Sequence, residues 1–139
     1  MAEITATWKG NMAFSIRDAD GHQVTVDTDP EHGGKLGGFF PKQMVLMGLA
    51  GCTGMDVISI LRKKRQDLKA FEIVVTGEER DEPPKYYDHI VVEYVVTGDV
   101  EQAALDRAIE LSRDKYCAVQ AMIKDVANIE FKTRITKRP

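Results

Sequence analysis

The chain has 139 residues, 43% hydrophobic and 29% charged, with a formal net charge of −3. That length suits a single domain over 1–139, and the slight acidity leaves no basic footprint for nucleic acid. Trp8 and Lys9 stand where a leader peptide would carry an apolar run, so the expected compartment is the cytoplasm. Two cysteines in that compartment are seldom a permanent structural disulfide.

The first segment reads as three short strands. Ile4, Ala6 and Trp8 alternate with Thr5, Thr7 and Lys9; Phe14 and Ile16 with Ser15 and Arg17; Val24 and Val26 with Thr25 and Asp27. Period-two alternation marks half-buried strands. Gly10-Asn11 and Asp20-Gly21 supply the turns of an antiparallel meander. The run DPEHGGKLGG (29–38) reads as a flexible connection or as a mobile flap over a site. Phe39 and Phe40 follow, as core or as pocket lining.

PKQMVLMGLAGCTGMDVISILRKKR (41–65) is the longest apolar stretch. Pro41 suits a first helical position. Met44, Met55 and Ile58 point one way, Val45 and Leu49 another, Leu46, Val57 and Leu61 a third. A helix apolar on all sides is buried on all sides, and in a chain this short that calls for a partner subunit. Glycines, Thr53 and Asp56 dilute the stretch and four cations end it, so it is not read as a membrane span. Arg62, Lys63, Lys64 and Arg65 complement the dipole at the helix C-terminus.

Two longer strands follow, with Phe71, Ile73 and Val75 in the first and Ile90, Val92, Tyr94 and Val96 in the second. Pro83-Pro84 marks the turn between them. Asp99 with Gln102 resembles a capping box, opening a helix with an apolar face of Ala104, Leu105, Ala108, Ile109 and Leu111. A short helix with Val119, Met122, Ile123 and Val126 at helical spacing comes next, and Ile129, Phe131, Thr133 and Ile135 alternate in a last strand. The order β-β-β, α, β-β, α-α, β points to α+β.

Cys52 and Cys117 both lie at apolar, helix-associated positions. As buried thiols they would act as small hydrophobes. A second reading makes them reactive. With Asp114 as an N-cap, Cys117 falls at the third helical position, where the dipole lowers a thiol pKa. Lys115 adds positive potential, and a break at Gly48 or Gly51 would give Cys52 the same setting. A low-pKa thiolate with a partner thiol is the minimum equipment for reducing a peroxide. Asp56 sits on the same helical face as Cys52, where it accepts a hydrogen bond or pairs with a cation. His22, His32 and His89 are scattered and show no metal-ligand spacing.

The segment P-x-x-M-V-L-M-x-L-A-G-C-T-G-M-D-V (41–57), with K-Y-C-x-V (115–119) downstream, resembles the OsmC/Ohr family of osmotically inducible and organic hydroperoxide resistance proteins. The resemblance covers essentially the whole chain. It implies an OsmC-like fold, with antiparallel sheets wrapped around a long central helix in an intertwined homodimer. It also implies thiol-dependent reduction of small organic hydroperoxides in oxidative-stress defence. Cys52 then matches the attacking cysteine and Cys117 the resolving one. An external dithiol is the reductant, and no bound cofactor or metal is expected. The peroxidases of the family carry Glu where Lys42 stands here, and Arg17 is the nearest candidate for the Arg that pairs with that Glu. Phe39, Phe40 and Met55 are the candidate pocket lining. Two alternatives stay open: a non-enzymatic dimer that binds an apolar small molecule or senses redox state, and a structural protein with inert thiols.

Overall fold

The alternation in the N-terminal segment does produce strands. β1 (Thr5–Trp8), β2 (Phe14–Arg17) and β3 (Gln23–Val26) form an antiparallel meander in the order β1-β2-β3. The structure, a computed structural model, describes residues 1–137. It divides into two compact units, Met1–Val45 and Leu46–Pro139.

In the first unit the backbone turns at Gly10 and Asn11, both at positive φ, and again at Gly21. Asp18 closes that second turn by accepting from the Asp20 and His22 amides, at 2.9 Å each. The glycine-rich run that follows is tied down by hydrogen bonds to Asp27 and Asp29. Buried Asp27 accepts from the amides of Thr28 (2.7 Å) and Gly37 (3.0 Å). Asp29 caps a 3-10 turn over Pro30–His32. The backbone approaches itself so closely that a Cβ on Gly34 would sit 2.1 Å from the Thr28 carbonyl oxygen, and one on Gly38 2.2 Å from that of Thr25. Only glycine fits at such separations.

The second unit is built on α1 (Gln43–Lys63), which starts two residues after Pro41 and runs unbroken through all its glycines. Leu49, Thr53, Val57 and Leu61 are its buried residues. Four-residue spacing puts them in one stripe, and each aliphatic member contributes about 1.5–3 kcal/mol by burial. α1 has the length and apolarity of a membrane span, yet this stripe lies in the protein interior: it is a core helix. The expectation of burial on every side does not hold within one chain, because Val45, Met47 and Met55 are exposed.

The stripe packs on a sheet of β4 (Asp67–Glu79), β5 (Tyr87–Asp99) and β6 (Asn128–Thr136), ordered β4-β5-β6. β5 is the middle strand. Its Ile90, Val92, Tyr94 and Val96 are fully buried on one face. β4 and β5 pair antiparallel, but β5 and β6 pair parallel, so this sheet is mixed rather than antiparallel. The reason is the connection: a parallel pair needs a crossover, here α2 (Gln102–Leu111), a π-helical turn (Ser112–Tyr116) and α3 (Ala118–Ile123). The expected Asp99–Gln102 capping box does not form. Asp99 ends β5, Glu101 occupies the N-cap, and its amide donates to Gln66 Oε1 at 2.8 Å. Of the short helix's expected apolar face, Val119 and Ile123 pack on the core, whereas Met122 and Val126 stay exposed.

Candidate functional site

Helix α1 and the crossover converge on two thiols. Cys52 lies mid-helix, one residue before buried Thr53. Gly54 makes room for β4, since a Cβ there would meet Ile73 Cδ1 at 2.8 Å. The helix has no break, so Cys52 has no fresh N-terminus beside it, contrary to the expectation from Gly48 and Gly51.

Cys117 arrives from the other side. The π-helical turn absorbs Asp114 and Lys115, and Cys117 itself becomes the N-cap of α3. Its amide donates to the Ser112 carbonyl at 2.8 Å, and its Sγ accepts from the Gln120 amide at 3.4 Å. Asp114 is therefore no cap; it pairs with Arg113, which holds its carboxyl below the usual range. Lys115 lies over the Tyr116 ring at 5.3 Å. The thiol is only 4% exposed. Burial pushes its pKa up to about 11; the Gln120 amide lowers it, and Cys52 and Asp56 raise it further. The expected lowering by a dipole and Lys115 is thus reversed.

The Sγ atoms of Cys52 and Cys117 and one Asp56 carboxylate oxygen all lie within 4.8 Å of one another. Asp56 is held from behind. Ser112 Oγ donates to Asp56 Oδ2 at 3.0 Å, Thr53 Oγ1 lies 2.8 Å from Ser112 Oγ, and Tyr94 Oη lies 2.7 Å from Thr53 Oγ1. Desolvation pushes the Tyr94 phenol up to about 12, with the Thr53 hydrogen bond working the other way. Sequence reasoning missed Thr53, Tyr94, Ser112 and Gln120. The available signal was a tyrosine on the inward face of a strand, whose hydroxyl has to find a partner.

Asp56 also lines a groove of ≈ 470 Å³ with Ser59, Ile60, Lys63, Lys64, Leu111 and Tyr116. Met55 is 75% exposed and lines a second groove of ≈ 540 Å³ with Ile58, Ser59, Arg62 and Lys63.

The remaining candidates belong to the first unit. Arg17 donates to Thr7 Oγ1 at 2.9 Å. Lys42 stands at the foot of α1, its carbonyl accepting from Val45 at 3.1 Å. Phe39 and Phe40 are exposed rather than core; Phe39 lines a depression of ≈ 440 Å³ with Thr25, Leu36, Gly37, Gly38 and Gln43. Asp18 with His22, and Asp29 with His32, form exposed acid–histidine pairs.

Comparison with known proteins matches residues 32–132 to the model of the OsmC-like protein family. Protein YhfA of Escherichia coli K12 is 41% identical over 123 residues, covering 88% of this chain and 89% of its own length. Among solved structures, a hypothetical protein from Aquifex aeolicus superposes with a TM-score of 0.88 at 32% identity, covering 100% of this chain and 98% of its own. An organic hydroperoxide resistance protein OsmC from Legionella pneumophila superposes with a TM-score of 0.70 at 17% identity, covering 98% and 96%. At that identity the likeness is one of fold.

Proposed function

The chain belongs to the OsmC-like family, and from that premise we propose that it reduces small organic hydroperoxides through Cys52 and Cys117. The observation that carries this reading is the convergence of two sulfurs from distant elements to within 4.8 Å. The more exposed sulfur, Cys52, is the one a peroxide reaches. Its thiolate attacks the terminal peroxide oxygen, the O–O bond breaks, and the alcohol departs with a proton, leaving a sulfenic acid. The Cys117 thiol condenses with that sulfenic acid, releasing water and forming a disulfide. An external dithiol returns both cysteines to thiols and becomes a disulfide itself.

The proposal includes a homodimer in the cytoplasm and a role in oxidative-stress defence. The exposed Met47, Gly51 and Met55 lie along one stripe of α1, and a Cβ on Gly51 would meet nothing within 4 Å. An apolar stripe with a small residue at its centre suits close approach of a second α1. Lys42 and Arg17 lie in the first unit, so the thiol reading stands on the second unit alone.

Titration of free thiols before and after one equivalent of cumene hydroperoxide tests the proposal. The expected result is loss of both thiols per chain and release of one equivalent of alcohol. Reduced Cys52 after exposure to peroxide would overturn it. A second reading, a redox-sensing dimer without turnover, is favoured by the burial of Cys117, which slows access of a reductant. It predicts the same disulfide but no catalytic consumption of peroxide when a dithiol is supplied.

A further inference from the structure

We propose that Asp56, oriented by the buried hydroxyl chain Tyr94–Thr53–Ser112, takes the proton of the Cys117 thiol as the disulfide closes and hands it to the departing hydroxyl. This rests on the thiol chemistry above and assigns one step within it.

The direction of the chain follows from counting protons. An ionised carboxylate only accepts, and each hydroxyl has one proton to give. Ser112 spends its proton on Asp56. The Thr53–Ser112 bond must then use the Thr53 proton, and the Tyr94–Thr53 bond the Tyr94 proton. All three point toward the carboxylate. Tyr94 and Ser112 are fully buried and Thr53 nearly so. Phe, Ala and Val would fill much the same volumes, but the Asp56 carboxylate would then lose the hydroxyl that donates to it. The hydroxyls therefore serve the carboxylate. They fix one carboxylate oxygen and the rotamer of Asp56 against the two sulfurs.

The step that needs this is closure. The thiolate, not the thiol, attacks the sulfenic sulfur. Burial pushes the Cys117 thiol up to about 11, so at neutral pH it carries its proton. Its Sγ sits under the Gln120 amide, out of reach of bulk base. In the proposed step the Cys117 S–H bond breaks and its proton moves to Asp56. The Cys117–Cys52 S–S bond forms as the Cys52 S–O bond breaks. The leaving hydroxide takes the proton from Asp56 and departs as water. Cys117 is oxidised, the sulfenic sulfur is reduced, and Asp56 ends ionised as it began. Thr53, Ser112 and Tyr94 are positioning residues.

Single-turnover kinetics of the reduced full-length protein with cumene hydroperoxide, with dimedone trapping read by mass spectrometry, test the assignment. In Asp56→Asn, sulfenic acid at Cys52 is expected at or above the wild-type rate, while closure slows by about 10²–10³-fold and the dimedone adduct accumulates. Closure in that variant should also climb about tenfold per pH unit, as hydroxide replaces the carboxylate. Ser112→Ala, which keeps the carboxylate but frees its rotamer, should slow closure about tenfold with sulfenic acid formation unchanged. Wild-type closure rates and pH profiles in both variants would overturn the role of Asp56. A wild type that forms neither sulfenic acid nor a Cys52–Cys117 disulfide would instead overturn the peroxide chemistry beneath it.

Discussion

Replacing Thr53 by Val removes the hydroxyl at the centre of the buried chain while keeping its shape. Thr53 Oγ1 holds Tyr94 Oη at 2.7 Å and Ser112 Oγ at 2.8 Å. Each buried bond contributes about 1 kcal/mol net. Ser112 keeps Asp56 as a partner, but the Tyr94 hydroxyl, fully buried, loses its hydrogen bond to Thr53. An orphaned buried hydroxyl costs about 1–3 kcal/mol. The variant should therefore be about 2–4 kcal/mol less stable, a fall of roughly 10 °C in Tm for a chain of this size. Adding Tyr94→Phe removes the orphan, so the double variant should be about 1–2 kcal/mol more stable than the sum of the singles. Urea unfolding at fixed protein concentration measures this, since self-association would shift the apparent stability. Strict additivity, or a Thr53→Val variant within about 0.5 kcal/mol of wild type, would refute the network as drawn.

Other consequences follow from the same structure. A Cβ on Gly77 would sit 2.6 Å from the rigid Tyr87 ring, whereas one on Gly54 meets only the tip of Ile73. Gly77→Ala should then cost about 1–3 kcal/mol and Gly54→Ala clearly less, measured by thermal unfolding. Burial raises the Cys117 pKa from 9.0 to about 11, so the folded protein keeps a proton that the unfolded chain has released. That stability is fully present below pH 9 and declines as pH rises through about 11. Alkylation of Cys117 by iodoacetamide in the native protein should rise about tenfold per pH unit toward pH 11; a rate at pH 7 equal to that of a free cysteine would contradict the burial. Met55→Glu places a charge on the exposed stripe of α1 and should convert a dimer to monomers in analytical ultracentrifugation without loss of helix content. An unchanged sedimentation coefficient would place the self-association elsewhere.

Much of this architecture is legible in the residues, because the periods are clean. Alternation in 4–9, 14–17 and 24–27 gives the three N-terminal strands, and the cations after Leu61 mark the end of α1. Alternation says nothing about strand direction, and so the parallel pairing of β6 to β5 was hidden. The capping rule that places Cys117 at a third helical position is sound, but the π-helical turn shifts the helix start by three residues, and burial of the thiol outweighs the Gln120 amide that still lowers its pKa. Thr53 meets Tyr94 across 41 positions and Ser112 across 59. No local pattern encodes such contacts; only the fold supplies them. The exposure of Met55 has a similar origin. One chain supplies neighbours for one face of α1, while apolarity all round describes what the helix needs in total.

The central claim is that Cys52 and Cys117 act as one redox pair. Peptide mapping by mass spectrometry after one equivalent of cumene hydroperoxide, without reduction, tests it most directly. The account predicts an intrachain Cys52–Cys117 disulfide in the wild type, and in Cys117→Ser a stable Cys52 sulfenic acid captured by dimedone. Two unmodified thiols, or oxidation of Cys117 with Cys52 intact, would contradict it.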